Sequence, residues 1–436
     1  MGLLFYWLFS LSLFMFTIQP WSVDIGPIPI QVIAIWCLWI WAIVLKRKNF
    51  VFAAFSKLQW SMITLIGLSI IIRSTIDGLG LNNIIIFGRY ITGVMIGMIA
   101  TVLFVNETAR KIILNILAVA LSLSCLVAIL QYLDLHPALW QRTMFKNRGY
   151  IYGSTGLEFS TWSFGYSILG IGTFIINSLI LKWRLKVNLR LINSVVMQLA
   201  GILCIIGLLV SKSRSSIFGT IVGCLTLLWL TRSTVIKRNT FVAKKAIISK
   251  GSRVVRTFFI HYGIVIFVVS LFVYSITVRE DSFFKDERLW ITYRSYINVI
   301  LTNPIGIPHE ENLIGAIDEA SGYKYGTLLI TKSGVVIKPH NIFLTTSVYY
   351  GPLAGIAFII MYFSGLLKGR RAYLNNLSFG HEREACLSLL LFVANLSILS
   401  HSWFHNNSLV MGEMRNWLWY GFLCASANSI KKNHSF

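Results

Sequence analysis

Charge is what this chain has least of. Only 13% of its 436 residues are charged, about half the share of an ordinary soluble domain, while 56% are hydrophobic. That composition excludes a disordered chain and argues against a water-soluble globule. Carboxylates are scarcest: 16 Asp and Glu stand against 39 Lys and Arg, a net charge of +23. In a soluble protein that excess would point to nucleic acid. In so apolar a chain it points to a polytopic membrane protein with its basic residues on one side, and no nucleic-acid partner is expected. Signature motifs are missing too. No GxxxxGK(S/T) phosphate loop, GxGxxG turn or HExxH helix occurs, and His381-Glu382-Arg383-Glu384 is only a fragment of the zincin pattern. A motor ATPase, a dehydrogenase and a zinc protease are disfavoured on that ground. The six cysteines (37, 125, 204, 224, 386 and 424) lie in or beside apolar runs at no metal-like spacing, and read as small buried residues. Within the apolar runs only Glu413 and the edge residue Glu158 are acidic. That scarcity weighs against an ion-coupled transporter.

Long apolar runs are what the chain does have. A helix needs roughly 20 mostly apolar residues to cross a bilayer, with every backbone polar group bonded internally. Runs bounded by charge or Pro/Gly predict twelve spans, near 3–20, 26–45, 58–73, 84–105, 112–133, 159–181, 191–210, 215–231, 257–277, 343–366, 385–403 and 408–428. The first lacks a basic leader and a small-residue cleavage site, so it reads as a span and not a signal. With the N-terminus inside, alternate connections hold 24 of the 39 basic residues against three carboxylates, Glu107, Glu382 and Glu384. Such an excess marks cytoplasmic loops. The expected fold is therefore an all-α polytopic membrane protein, one membrane domain over 1–436 with both termini cytoplasmic.

Two outside connections are long, 134–158 and 279–342, and their aromatics and turn residues suit ordered loops. The second contains an amphipathic stretch from Arg288 to Leu301, expected to lie on the membrane surface or to cap a cavity. Asn303-Pro304-Ile305-Gly306 ends it with turn chemistry. Inside, the basic segment 232–256 suits anchoring to the membrane surface.

Cations gather at the outer face. Ser211-Lys212-Ser213-Arg214-Ser215-Ser216 joins two spans, with Gly219 and Gly223 one and two turns below for close helix packing. Arg288 and Arg294 open the surface helix, and Pro339-His340-Asn341 precedes a span carrying Gly351 and Gly355. Arg142, Lys146 and Arg148 lie in the first long loop, and Arg89 lies within the fourth span. Each has a plain alternative. Arg214 is equally a headgroup snorkeller, Arg288 a partner of Asp286 or Glu287, and His340 a helix cap. His401 and His405, four residues apart, form at most a fragment of a metal site. Jointly, several arginines and one histidine make a site for an anionic, phosphorylated lipid. Guanidinium groups grip phosphate oxygens in pairs, and neutral imidazole can take a proton from a sugar hydroxyl.

Ser213-Arg214-Ser215, Arg288-Leu-Trp, Asn303-Pro304-Ile305-Gly306 and Pro339-His340-Asn341-Ile-Phe-Leu344 with Gly351 and Gly355 together resemble the bacterial O-antigen polymerase/ligase family, over roughly 195–366. Arg148-Gly149 and Gly153-Ser-Thr-Gly156-Leu-Glu158-Phe-Ser160 resemble its earlier outside segment more weakly. The resemblance implies a C-type glycosyltransferase of the bacterial inner membrane, inverting, without metal or cofactor, with its site on the periplasmic side. Arg214 and Arg288 would hold the pyrophosphate of an undecaprenyl-linked glycan donor, and His340 would orient or deprotonate the acceptor hydroxyl. Arg89, Arg148, Glu158, Arg294 and Asn341 would bind substrate. Trp140, Tyr150, Tyr152, Trp290, Tyr293, Tyr323 and Tyr325 are candidates for sugar stacking. The Gly156-Leu-Glu158-Phe-Ser160 segment looks more like polymerase members, which join lipid-linked repeat units and have a chain-length regulator protein as a further partner. A ligase passing the finished glycan to lipid A-core is the alternative, and a flippase for the same lipid-linked sugar is the rival from another class.

Overall fold

The protein, as a computed structural model, is described at residues 2–17, 24–25, 28–46, 54–78, 80–133, 135, 154, 156–157, 161–187, 189–211, 213–245, 287–307, 341–403, 409–410 and 413–433. Over some of these, 233–245, 287–292 and 294 among them, the description covers the backbone alone. The described residues are almost entirely helical. In chain order the helices are α1 (Leu3–Thr17), α2 (Ile30–Lys46), α3 (Lys57–Ile76), α4 (Leu81–Phe104), α5 (Glu107–Tyr132), α6 (Thr161–Ser167), α7 (Thr173–Leu185), α8 (Ser194–Ser211), α9 (Arg214–Lys245), α10 (Glu287–Thr302), α11 (Ile342–Tyr350), α12 (Pro352–Ser378), α13 (Glu382–Ser402) and α14 (Asn416–Asn433). A π-helical turn, Ile168–Gly172, joins α6 to α7, and two-residue strands at Asp24–Ile25 and Ile28–Pro29 form a hairpin before α2.

Eight helical stretches among the described residues are long and apolar enough to cross a membrane: 57–76, 83–104, 107–132, 164–185, 194–211, 214–232, 352–378 and 382–402. The chain is thus an all-α, multi-pass membrane protein. Helices α1 and α2 are apolar but shorter, at 15 and 17 residues. The expected span 257–277 lies outside the described residues.

Local sequence explains where the helices start. Ser56 and Gln59 form a reciprocal capping box at the start of α3, and Asn106 caps α5 by accepting from the Ala109 amide at 3.1 Å. Packing then sets the bundle. Gly219 and Gly223 of α9 let α13 approach at Ser397 and Val393, as their spacing suggests. The cysteines are free, and five are buried; Cys37 lies exposed on α2, so the expectation of burial fails there. An exposed face on a membrane helix demands only an apolar side chain, which cysteine supplies.

The two ends of the bundle are distinct. At one, Arg383 at the start of α13 pairs with Glu107 at the start of α5 (2.9 Å) and donates to the Leu189 carbonyl, while Lys111 also pairs with Glu107 (3.0 Å). The opposite end carries the start of α9, the end of α13 and the approach to α14.

The run expected as one span over 343–366 is two helices. Gly351 takes φ +86° and ψ 160°, backbone open essentially to glycine alone, and Pro352 then begins α12 without the amide that would continue α11. The chain doubles back. Gly355 packs on Ser347 and the Phe343 carbonyl, and the Phe343 and Phe358 rings lie 5.3 Å apart, so α11 and α12 run antiparallel. Nine residues of helix are about 13 Å long, so the start of α11 lies that far below the turn at Gly351. Protein covers α11: Ile342, Thr345, Thr346 and Val348 are buried.

Candidate functional site

The α11–α12 hairpin also positions α10. A side-chain hydrogen bond joins Tyr293 to Asn341. The Ile307 amide donates to the Val348 carbonyl at 2.8 Å, and Gly351 packs on the Pro304 carbonyl. Helix α10 therefore runs beside α11 in the same direction, with Tyr296 and Val299 fully buried between them and the bundle. The expected turn is present: the Gly306 amide donates to the Asn303 carbonyl at 3.0 Å. Gly306, at φ +87°, passes the Tyr349–Tyr350 backbone so closely that a Cβ there would meet the Tyr349 oxygen at 2.5 Å. The Asn303–Gly306 motif and the Gly351 motif, 45 residues apart in sequence, are thus two halves of one junction.

Asn341 stands at the lower end of this assembly. It is 5% exposed and caps α11, its side-chain Oδ1 accepting from the Phe343 (2.9 Å) and Leu344 (3.2 Å) amides. Because the cap already satisfies those two amides, what α11 offers a ligand is the positive end of its dipole more than free donors. Tyr293, beside it, is half-buried, and that burial pushes its phenol above the usual tyrosine range while the Asn341 hydrogen bond pulls the other way.

Phe343 leads to the remaining elements through Trp403, whose ring it meets edge-on at 5.5 Å. One residue inward, at the end of α13, Ser402 shares a hydrogen bond with the Tyr166 hydroxyl (3.1 Å), and His401 lies edge-on to the Tyr166 ring at 4.4 Å. Gly165 of α6 packs on both Ser216 and His401. Ser216 in turn hydrogen-bonds Ser213 at 2.7 Å across the first turn of α9, the turn that begins with Arg214. Arg214 is half-buried there. A fourth element closes the group. The Gly156 amide donates to Gln131 Oε1 and Gln131 Nε2 donates back to the Gly156 carbonyl, both at 3.0 Å, while the Ser154 amide donates to the Val210 carbonyl.

The structure thus gathers Arg214, Asn341 and residues 154 and 156–157 at one end of the bundle, with α10 alongside. Arg288 and Arg294 lie in α10, their side chains outside the described residues. His340, Arg148 and Glu158 lie outside the described residues altogether, as do all the expected stacking aromatics except Trp290 and Tyr293. Arg89 is exposed on α4.

Residues 288–301, expected as an amphipathic helix on the membrane surface or over a cavity, form α10, which runs along α11 with Tyr296 and Val299 buried. One expectation changes. Glu413 was expected inside a span over 408–428; the helix starts later, at Asn416, and Glu413 precedes it in a buried pair with Arg415. Arg415 grips both Glu413 oxygens (2.6 and 3.0 Å) and donates to Ser167 Oγ at 2.7 Å. That pair went unread as part of the site, although two opposite charges two residues apart in an apolar run are a legible sign of an internal ion pair. Tyr166, Ser167, Arg415 and Asn416 line a cavity of about 30 Å³, room for a single water. No group of three or more His, Cys, Asp or Glu that could hold a metal occurs among the described residues; His401 is buried in α13 and His405 lies outside them.

No protein-family model matches this chain, and no curated protein matches it.

Proposed function

We propose that this protein is a membrane glycosyltransferase that polymerises undecaprenyl-pyrophosphate-linked repeat units into O-antigen or capsular polysaccharide. The observation that carries this reading is the convergence of three motifs distant in sequence, those around Arg214, Asn341 and Gly156, with α10 beside them. A scaffold for packing alone has no need to bring an arginine-bearing turn, a polar helix start and a glycine-rich loop to the same end.

In this reading twelve spans place both termini in the cytoplasm and the site at the periplasmic face of the inner membrane. Arg214 and Arg288 hold the donor's pyrophosphate, with Arg89, Arg148 and Arg294 along the approach. Asn341 and Glu158 contact the sugars. The acceptor hydroxyl oxygen attacks the anomeric carbon, the bond from that carbon to the pyrophosphate breaks with inversion, and His340 takes the hydroxyl proton. Negative charge builds on the leaving undecaprenyl pyrophosphate, and fixed guanidinium groups lower the barrier by meeting it there. The positive end of α11 adds to the same field. The long loops align two bulky lipid-linked substrates.

The test is the glycan length profile of variants that reach the membrane at wild-type levels. His340→Ala should abolish chain growth, and Arg214→Lys should lose most of it, because an ammonium cannot form the bidentate grip. A normal length profile in His340→Ala would remove that residue from the mechanism, and a normal profile in Arg214→Lys would show that any cation serves.

A further inference from the structure

Helix α6 is where the candidate site meets the buried ion pair. Its last three residues face three different elements, because successive helical residues point about 100° apart. Gly165 packs on Ser216, in the first turn of α9, and on His401. The Tyr166 hydroxyl shares a hydrogen bond with Ser402 at the end of α13. Ser167 Oγ accepts from Arg415 Nη1 at 2.7 Å, just ahead of α14. One seven-residue helix thus joins the Arg214 turn to the Glu413–Arg415 pair.

On the Arg415 side this hydrogen bond fixes α6 more than packing does. A cavity of about 30 Å³ lies there, lined by Tyr166, Ser167, Arg415 and Asn416 among others. Nor does α7 set the orientation of α6 as a plain continuation would. The π turn at Ile168–Gly172 bonds i to i+5 in place of i to i+4, which rotates the faces of α6 against those of α7. Turns of this kind recur at functional sites. Arg415 is itself held in place. Its Nε and Nη2 both donate to Glu413, at 2.6 and 3.0 Å, and the two side chains are only 11% and 9% exposed. A planar guanidinium gripping a carboxylate through two bonds has little freedom to turn, so Nη1 meets Ser167 at a set position.

We infer that Arg415 is a positioning residue for Arg214. Through Ser167 it fixes α6, and α6 seats Ser216 and the first turn of α9, so that the Arg214 guanidinium stands where the donor's pyrophosphate leaves. That turn moves as a unit, since Ser213 and Ser216 share a hydrogen bond (2.7 Å) and the Ile217 amide donates to the Ser213 carbonyl (3.1 Å). The role in the reaction rests on the glycosyltransferase reading; the mechanical coupling of Arg415 to the Arg214 turn does not.

The test uses Ser167→Ala in the full chain in detergent, a variant that leaves the Glu413–Arg415 pair in place. Hydrogen–deuterium exchange over residues 213–218 should rise roughly five-fold, the worth of one hydrogen bond, with no change over 107–112 at the opposite end of the bundle. Chain growth from undecaprenyl-pyrophosphate repeat units should slow on the order of ten-fold, mainly in kcat and less in KM, since a misplacement of about 1 Å costs up to about a hundred-fold. Ser167→Thr keeps the hydroxyl, with the cavity beside it for the added methyl, and should restore both readouts. Unchanged exchange over 213–218, or failure of Ser167→Thr to restore it, would overturn the coupling. Raised exchange with an unchanged kcat would overturn the role of Arg415 in the reaction. Should the wild-type chain make no glycan, the glycosyltransferase reading fails with that role, and the exchange data alone decide the coupling.

Discussion

The junction of Gly306 and Gly351 allows a quantitative test of the α11–α12 hairpin. In Gly351→Ala two penalties combine. The backbone, at φ +86° and ψ 160°, is essentially closed to alanine, a strain of about 1–3 kcal/mol. The new methyl would also press on the Pro304 carbonyl, a backbone atom that cannot swing aside, and overpacking of that kind costs about 1–3 kcal/mol more. The sum is about 4 kcal/mol. Gly380→Ala is the matched control: its φ is +75°, yet no atom lies within 4 Å of an added Cβ, so only the backbone penalty of about 1–2 kcal/mol applies. Thermal unfolding in detergent, followed by size-exclusion chromatography of the surviving fold, compares the two. With roughly 1–2 °C per kcal/mol at this chain length, Gly351→Ala should melt several degrees below Gly380→Ala. Gly306→Ala should be as damaging as Gly351→Ala, and the double variant should cost less than the two together, because both glycines serve one contact. Equal melting of Gly351→Ala and Gly380→Ala would refute the close approach of the 303–307 turn to the hairpin.

Other outcomes follow from the same geometry. Asn341→Ala leaves the Phe343 and Leu344 amides uncapped in a buried setting and should cost about 1–2 kcal/mol, whereas Asn341→Ser should recover most of that in the same melting assay. Glu413→Gln leaves Arg415 buried without its counter-charge and should destabilise by about 3–5 kcal/mol; a melting temperature unchanged from wild type would show that Ser167 and other neighbours suffice. Gly165→Ala should lower stability by about 1–3 kcal/mol although alanine is the better helix former, since its methyl would drive α6 away from Ser216 and His401. If Gly165→Ala instead raises the melting temperature, the contact between α6 and the Arg214 turn is looser than described.

Composition made the membrane class legible because hydrocarbon imposes one pattern on every crossing helix. Apolar runs gave helices α3 to α8 and the start of α9 within a few residues, whereas α9 continues to Lys245, past the expected end at 231. The same reasoning failed over 342–378. Ile342 to Leu367 is nearly all apolar, so hydropathy alone joins α11 to α12, and only the Gly351-Pro352 pair announces the turn. Gly355 packs against α11, while Gly351 reverses the chain. Of the site, the turn at 303–306 and the arginine at the head of α9 were visible in sequence. The role of Tyr293 was not, because it depends on Asn341, and of Arg415 only the pairing with Glu413 was legible, not the contact with Ser167 that the folded chain supplies.

The central claim is that this chain joins lipid-linked repeat units, and the most direct measurement supplies nothing else. Purified protein in detergent, given undecaprenyl-pyrophosphate repeat units alone, should yield a ladder of lengthening glycans on a gel. Product that forms only when lipid A-core is added would contradict polymerisation in favour of ligation, and no product in either case would contradict glycosyl transfer itself.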